Sequence, residues 1–246
     1  MIDFDVLASS SEGCAYRLSG GGATAPLLIE CGLPWKALQR ALGFKVSELA
    51  GCLISHSHQD HCKAAKEIMA AGVRCFASLA TWAAICGKDV SHNCAFMAQG
   101  WEGFLYGGWI VRPFDAVHDC EGTLGFVIDS PHGDRLLYLT DSAYSRVTFP
   151  GLTRIAVECN HSMELLKANA LEGKIDRARF SRTAKNHMSL ERLVDLLKAN
   201  DLSKVERITL LHLSDANSDE VEFKDAVQRA TGIPVEVAQR GLEVKA

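Results

Sequence analysis

Short apolar runs, bounded by glycine, proline or polar residues, recur along the chain and indicate β-strands. The predicted strands are Phe4–Ala8, Cys14–Leu18, Pro26–Cys31, Cys52–Ser55, Arg74–Ala77, Trp109–Phe114, Leu124–Asp129, Arg135–Thr140, Arg154–Glu158, Arg207–Leu213 and Val235–Ala238. The glycine-rich stretch Ser19–Ala23 lies between two of them. It therefore predicts a hairpin turn rather than a phosphate-binding loop, which a helix should follow.

Helices are predicted between and after these strands. The predicted helices are Pro34–Leu42, His61–Ala71, Leu79–Cys86, Met163–Ala170, Ser189–Ala199 and Asp219–Ala230. The interval Gly87–Gly108 is predicted to be an irregular loop and a candidate lid. Strands in runs, with helices in each half, predict the α/β fold class and a four-layer αββα sandwich. Because no linker or repeat divides the chain, residues 1–246 are predicted to form a single domain.

Composition narrows the class of protein. Of 246 residues, 48% are hydrophobic and 23% are charged, which suits a large core and argues against disorder. The formal charge of −4 and the lack of an evident basic stripe favour a small anion over a long polyanion as ligand. Nine cysteines without a C-x-x-C motif indicate free thiols in a reducing compartment. No leader peptide and no apolar run of about 18 residues is evident, so we expect a soluble, cytoplasmic protein without a membrane partner.

The stretch SHSHQDH, from Ser55 to His61, follows an apolar strand and concentrates potential metal ligands. Alternate side chains of an extended segment point the same way, so His56 and His58 can face one point. Asp60 and His61 follow as the chain turns into a helix and can serve a second point close by. Imidazole and carboxylate suit zinc, and two ions ~3.5–4 Å apart can share a hydroxide. The alternative is a set of surface histidines on a loop.

Three more candidate ligands follow predicted strands: His118, Asp141 and His212. A single histidine at the end of a strand is more often structural than a ligand. Together with the histidine-rich run, however, the three favour a metal centre, because ends of neighbouring strands can bring distant residues together.

The spacing His56-x-His58-x-Asp60-His61, followed in order by His118, Asp141 and His212, resembles the signature of the metallo-β-lactamase superfamily. The resemblance covers essentially the whole chain and implies the αββα sandwich of that family. It implies two Zn²⁺ per chain, with Asp141 and a water molecule as bridges. One ion would be held by His56, His58, His118 and Asp141, and the other by Asp60, His61, Asp141 and His212.

Two positions indicate a branch of this family. His58 stands where flavodiiron-type oxidoreductases carry glutamate, which favours a hydrolytic zinc pair over a redox iron pair. Asp141 stands where lactam-hydrolysing members typically carry cysteine, and aspartate is typical of the phosphodiesterase and glyoxalase-like branches. Only 34 residues follow His212, too few for the helical substrate domain of a glyoxalase II.

Two further motifs, VECNHS around Glu158 and NHMSLE around His187, are similar to those of ribonuclease Z and YycJ-type proteins. That resemblance implies that Glu158 and His187 deliver a proton to the oxygen that leaves phosphorus. An alkoxide leaves poorly unless protonated, and a histidine held by a carboxylate is a suitable acid near neutral pH. The predicted catalytic residues are Asp60, Glu158 and His187. The alternative is that Glu158 and His187 only support metal ligands from behind.

A narrower resemblance, in LIECGLPWKALQRALGF and in the two motifs above, is to the phage and bacterial anti-Pycsar proteins. It implies a homodimeric phosphodiesterase that opens 3′,5′-cyclic nucleotides, such as cyclic CMP, UMP, AMP and GMP, to nucleoside monophosphates. Such an enzyme would counteract host antiviral signalling, in the host cytoplasm if phage-encoded. The alternative is a DNA or RNA nuclease of the YycJ or ribonuclease Z type. A third hypothesis, a non-catalytic nucleotide-binding module, is disfavoured because all seven ligand positions carry competent side chains.

Overall fold

The computed structural model describes residues 1–87, 95–98 and 103–238. These residues divide into two compact units. Unit 1 contains Met1–Asp115 and Cys120–Asp134, and unit 2 contains Ala116–Asp119 and Arg135–Ala238. The prediction that residues 1–246 form a single domain stays a prediction.

Unit 1 is built mainly on a six-stranded mixed sheet in the strand order β1-β2-β3-β4-β5-β6. Strands β1, β2 and β3 are antiparallel neighbours, whereas β3 to β6 run parallel. Strands β7, β8 and β9 form an antiparallel ladder. The strands are β1 (Ile2–Ser10), β2 (Gly13–Gly20), β3 (Leu27–Ile29), β4 (Gly51–Leu53), β5 (Cys75–Ala77), β6 (Ala95–Met97), β7 (Phe104–Tyr106), β8 (Trp109–Asp115) and β9 (Leu124–Asp129).

Four short α-helices of unit 1 connect these strands, and a 3₁₀ turn at Val46–Glu48 precedes β4. The helices are α1 (Trp35–Ala41), α2 (Gln59–Cys62), α3 (Ala65–Ala70) and α4 (Leu79–Cys86). A buried cluster joins them to the sheet through residues such as Leu28, Leu38, Ile68 and Trp82. The indole N–H of Trp82 donates to the carbonyl of Phe96, so a partly buried hydrogen bond also joins α4 to β6.

Unit 2 contains a parallel sheet of β10 (Arg135–Leu139), β11 (Arg154–Glu158), β12 (Arg207–Leu211) and β13 (Val235–Val237). The apolar residues of the first three strands are almost all buried, as expected for parallel strands covered on both faces. Because parallel strands end at the same edge, the residues that follow them meet there.

The helices of unit 2 are α5 (Met163–Leu171), α6 (Arg177–Asn186), α7 (Leu190–Lys198) and α8 (Glu220–Thr231). Each begins after a serine or aspartate whose side chain accepts a backbone N–H of the first turn. These caps satisfy donors that the helix itself leaves unpaired, and therefore fix where each helix starts. The capping residues are Ser162, Asp176, Ser189 and Asp219.

Most of the predicted elements are confirmed, with ends that agree or shift by at most two residues. The hairpin turn at Ser19–Ala23 is confirmed, since Gly20, Gly21 and Gly22 have positive φ between antiparallel strands. The irregular loop predicted at Gly87–Gly108 is wrong in part, because β6 and β7 lie in it; residues 88–94 and 99–102 lie outside the described residues. The single helix predicted at His61–Ala71 is two short helices, α2 and α3.

Helix α6 is a new element, and the sequence pattern missed it. None of its residues is buried, so it lacks the apolar stripe by which amphipathic helices are recognised. Asp176, which caps it, was the remaining local signal.

Among the described helices, none combines the length and the apolar composition that crossing a bilayer requires.

Gly32 allows the segment after β3 to lie directly against α2. A Cβ at this position would stand 1.6 Å from the carbonyl oxygen of Asp60, and backbone hydrogen bonds from Cys31 to His61 and from Ala64 to Cys31 fix the contact. We expect Gly32→Ala to destabilise the protein by about 3 kcal/mol in urea unfolding, since overpacking against backbone forces the chain apart.

Gly43→Ala is the matched control for this prediction. Gly43 has φ +60°, but a Cβ added there would meet no heavy atom within 4 Å. It should therefore lose only about 1 kcal/mol, from backbone strain alone. Equal losses in the two variants would contradict the proposed close approach at Gly32.

Candidate functional site

The histidine-rich run of unit 1 begins two residues after β4 ends. His56 is fully buried, and His58 is exposed and directly precedes α2, with an extended backbone (φ −64°, ψ 144°). Nε2 of His56 lies 3.0 Å from Nδ1 of His58. The two imidazoles therefore present their ring nitrogens to one point, as predicted from their alternate positions.

Asp60 and His61 lie in the single turn of α2. Nε2 of His61 is 3.5 Å from Oδ2 of Asp60, and the ring centroids of His56 and His61 are 4.3 Å apart. All four predicted ligands of unit 1 thus lie together. Three imidazoles and one carboxylate in contact form a donor set that suits a divalent cation such as zinc.

Glu30 supports this set from inside unit 1, and the sequence reasoning missed it. It is fully buried and has φ 61°, a region that non-glycine residues rarely occupy. Its Oε2 accepts the backbone N–H of Ser55 (3.2 Å), and its Oε1 lies 3.6 Å from Nδ1 of His61. A carboxylate behind a ligating histidine fixes the ring orientation. The available signal was an acidic residue directly after the apolar strand β3.

Unit 2 places its candidate ligands at the carboxyl ends of its parallel strands. Asp141 follows β10 and His212 directly follows β12, and both have positive φ, 42° and 51°. Oδ1 of Asp141 is 3.5 Å from Nδ1 of His212. Strain of this kind concentrates at functional sites, where the surrounding structure holds it. Here the amide of Asn160 donates to the carbonyl of His212 and holds that turn.

His118 completes the group in unit 2. Its Nδ1 lies 3.0 Å from the carbonyl oxygen of Asn186, and its Nε2 lies 3.6 Å from Oδ2 of Asp141. Since a carbonyl can only accept, Nδ1 carries a proton, and Nε2 faces the carboxylates of Asp141 and Asp119, the latter at 3.2 Å. The three predicted ligands of unit 2 therefore lie together. The division of the seven predicted ligands between two ions stays a prediction.

Glu158 and His187 form the closest contact of the site. Oε1 of Glu158 is 2.6 Å from Nδ1 of His187, and Oε2 accepts the backbone N–H groups of Ser142 and Met188, each at 3.0 Å. Nδ1 of His212 is 3.6 Å from the same Oε1. Asp141, Glu158, His187 and His212 offer ligand atoms that all lie within 4.8 Å of one another.

The protonation of this pair follows from its surroundings. Burial alone would lower the pKa of His187, but the adjacent carboxylate of Glu158 outweighs it and raises that pKa above the ordinary value. Burial would raise the pKa of Glu158, but His187 reverses this and lowers it. The pair therefore favours a carboxylate beside a protonated imidazole. The side chain of His187 remains 17% exposed, so its outer edge can reach a ligand.

Comparison with known proteins gives the family. The model of the beta-lactamase superfamily domain matches residues 27–213. Exodeoxyribonuclease YycJ of Bacillus anthracis is 24% identical over 186 residues, which cover 72% of this chain and 69% of that protein.

Three solved structures share the fold at 14% identity. They are the metallo-beta-lactamase fold protein YhfI of Bacillus subtilis (TM-score 0.73, 98% of both chains), a diphosphatase of the PhnP family (0.65, 98% of this chain and 96% of that one) and the short form of human tRNase Z, ELAC1 (0.61, 98% of both). The predicted α/β fold class of the metallo-β-lactamase type is confirmed by these relatives. Because the family model spans well over half of the chain, this protein belongs to the metallo-β-lactamase superfamily and is a metal-dependent hydrolase.

Proposed function

We propose that this protein hydrolyses phosphodiester bonds and that His187 donates a proton to the leaving oxygen. The observation that carries the proposal is the 2.6 Å contact between Nδ1 of His187 and Oε1 of Glu158. Cleavage of a P–O bond releases an alkoxide, which needs a proton, and a carboxylate-bound imidazolium supplies one near neutral pH. The alternative, that the pair only braces metal ligands, gives no reason for the exposed outer edge of His187.

Glu158 prepares His187 for this role. Two backbone N–H groups hold one carboxylate oxygen, so the other is fixed in direction. With Nδ1–H of His187 bonded to that oxygen, the opposite nitrogen, Nε2, presents its proton outward. After Nε2 has given up its proton, the Nδ1–H group of His187 remains hydrogen-bonded to Glu158, so the ring keeps its orientation.

We also propose that the seven residues predicted from the sequence bind two zinc ions: His56, His58, Asp60, His61, His118, Asp141 and His212. The imidazole and carboxylate donors of each unit, and the family of the chain, support this. When bound, such ions make a hydroxide nucleophile available near neutral pH and neutralise charge that develops on the phosphoryl oxygens. The carboxylates of Asp60 and Asp141 lie 3.5–3.6 Å from ring nitrogens of neighbouring histidines, close enough for both groups to bind the same ion.

As substrate we propose 3′,5′-cyclic nucleotides, with nucleoside monophosphates as products. The resemblance of the VECNHS and NHMSLE motifs to the anti-Pycsar proteins supports this, and the motifs contain the Glu158–His187 pair. In the same proposal the protein is a homodimer in the cytoplasm and removes a host antiviral signal. The relatives named for a diphosphatase, an exodeoxyribonuclease and a tRNase support phosphate ester chemistry in general.

The second candidate is a nuclease of the YycJ or ribonuclease Z type. A specific observation favours it: α6, which ends beside His187, carries four cations and no acidic residue. The expectation that the chain lacks a basic stripe is therefore wrong for this helix.

A substrate panel separates the two candidates. We expect the purified protein to open cyclic CMP, UMP, AMP or GMP to the nucleoside monophosphate, because His187 can protonate the ribose oxygen that leaves phosphorus. Chromatography of the products measures this reaction. Labelled DNA and RNA oligonucleotides are incubated side by side. Trimmed oligonucleotides without any cyclic nucleotide opened would select the nuclease instead.

The role of His187 is tested by comparing a substrate whose leaving group needs a proton with one whose leaving group does not. We expect His187→Gln to lower kcat for a cyclic nucleotide by about 10²–10⁴-fold, the usual contribution of a general acid. Hydrolysis of bis(p-nitrophenyl) phosphate should fall much less, since p-nitrophenolate leaves without a proton. Equal losses on both substrates would show that His187 acts only by supporting the metal ligands.

Glu158→Gln provides the matched variant. Because the carboxylate raises the pKa of His187, removing its charge lowers that pKa. An acid must be protonated to act, so kcat/KM falls as pH rises through this pKa, and in the variant that fall should occur at lower pH. An unchanged pH profile would show that Glu158 does not set the pKa of the group that donates the proton.

Metal content tests the ligand assignment. We expect His61→Ala to lose about half of the zinc measured by elemental analysis and nearly all turnover, since one ion loses a ligand that a buried imidazole provides. His132→Ala, an exposed histidine of unit 1, should keep both. Full activity of His61→Ala with halved zinc would refute a two-metal mechanism.

A further inference from the structure

Helix α6 carries positive charge only. Its ten residues include Arg177, Arg179, Arg182 and Lys185 and no acidic residue, although the formal charge of the whole chain is −4. Arg179, Arg182 and Lys185 are spaced three residues apart, so they lie on successive turns, and all three are exposed. We call these three residues the α6 row.

The charges of the α6 row are not compensated within the described part of the chain, where none of the three has an ion-pair partner. Some exposed cations elsewhere are paired, for example Arg17 with Asp5 and Lys174 with Glu172. Like charges three residues apart repel, so the row destabilises the helix that carries it. An external anion would remove that repulsion.

The α6 row leads to the candidate site. The helix ends at Asn186, and the next residue is His187. The Asn186 carbonyl lies 3.0 Å from Nδ1 of His118, and its side-chain amide donates to Asp119 (2.7 Å). The C-terminal end of α6 is therefore fixed beside the proton donor, and the row extends away from it along the helix.

We propose that the α6 row binds successive phosphates of a single-stranded nucleic acid whose scissile phosphate lies beside His187. At 1.5 Å per residue, Arg179 and Lys185 are about 9 Å apart along the helix axis. The row is therefore long enough to contact successive phosphates of one strand. A cyclic nucleotide has one phosphate, which would lie beside His187 without using the row, so a strand is a second substrate class.

The row is one side chain wide, which suits one strand rather than the two strands of a duplex. It also differs from a membrane-binding helix, which needs large apolar residues on the face opposite its cations. In α6 the single large apolar residue is Phe180, which is already half-buried. The inference rests on the proposed phosphodiester chemistry and adds a substrate class to it.

The test compares two triple variants of equal charge. In the first, Arg179, Arg182 and Lys185 are all replaced by glutamine. In the control, the exposed cations Lys198, Lys224 and Arg229 of α7 and α8 are replaced by glutamine. Each enzyme is assayed on a labelled 12-nucleotide single strand and on bis(p-nitrophenyl) phosphate, at several salt concentrations, and binding of the strand is measured by fluorescence anisotropy.

For the wild type we expect log KM for the strand to rise with log [salt] with a slope of about 2, since each neutralised phosphate of a single strand contributes about 0.7. In the α6 triple variant the slope should approach zero. The ratio of kcat/KM for the strand to that for bis(p-nitrophenyl) phosphate should fall by about 10- to 100-fold. The control variant should retain both values.

Three results would overturn the inference. Unchanged binding and salt dependence in the α6 variant would remove the row from strand recognition, while activity on bis(p-nitrophenyl) phosphate would leave the proposed chemistry intact. Equal effects in both triple variants would show that the change in net charge, and not the position of the row, weakens strand binding. Binding to phosphatidylserine vesicles but not to the strand would assign α6 to a membrane surface. Inactivity of the wild type on every phosphodiester would instead contradict the proposed function.

Discussion

The parallel pairing of β10, β11 and β12 is the constraint on which the site of unit 2 depends. The register places Leu139 opposite Val157 and Glu158 opposite Leu211, so the three strands end almost level. Asp141, Glu158 and His212 therefore meet although 71 residues separate the first from the last. The chain must then turn at once, and Asp141 and His212 do so with positive φ. Each such residue costs about 1–3 kcal/mol, which the buried strands beneath offset.

In each of the two units, a buried glutamate lies behind a histidine of the candidate site. Glu30 and Glu158 are both fully buried, and each uses one oxygen to accept backbone N–H groups and directs the other at a histidine. A buried carboxylate is costly unless it is hydrogen-bonded, so the backbone donors stabilise the charge and fix its position. The difference lies in the histidine, because His61 is fully buried whereas His187 remains partly exposed. Glu30 thus suits the support of a ligand, and Glu158 suits the activation of a group that reaches substrate.

The sequence was sufficient wherever a local pattern carried the information. Strand pattern and histidine spacing are local. They gave β9, β11 and α4 with correct bounds, and they identified the candidate ligands that lie together in each unit. Glu30 was missed because one acidic residue after a strand carries no pattern of its own, and its role depends on a contact with Ser55, 25 residues away. Helix α6 was missed because it buries none of its residues. The sequence pattern therefore missed a residue whose role depends on contacts between distant segments, and a helix that has no apolar face.

The attachment of α6 has a consequence for how activity is lost on heating. A helix without buried residues is held mainly by its cap at Asp176 and by the contacts of Asn186 at its other end, so its local opening costs little free energy. The strands that carry Asp141 and His212 open only when the whole unit unfolds, since their apolar residues are buried. Warming should therefore loosen the α6 row first, whereas His187 stays bonded to Glu158. Hydrogen exchange would be faster in α6 than in the strands, and with rising temperature activity on a nucleic acid strand would fall before activity on bis(p-nitrophenyl) phosphate.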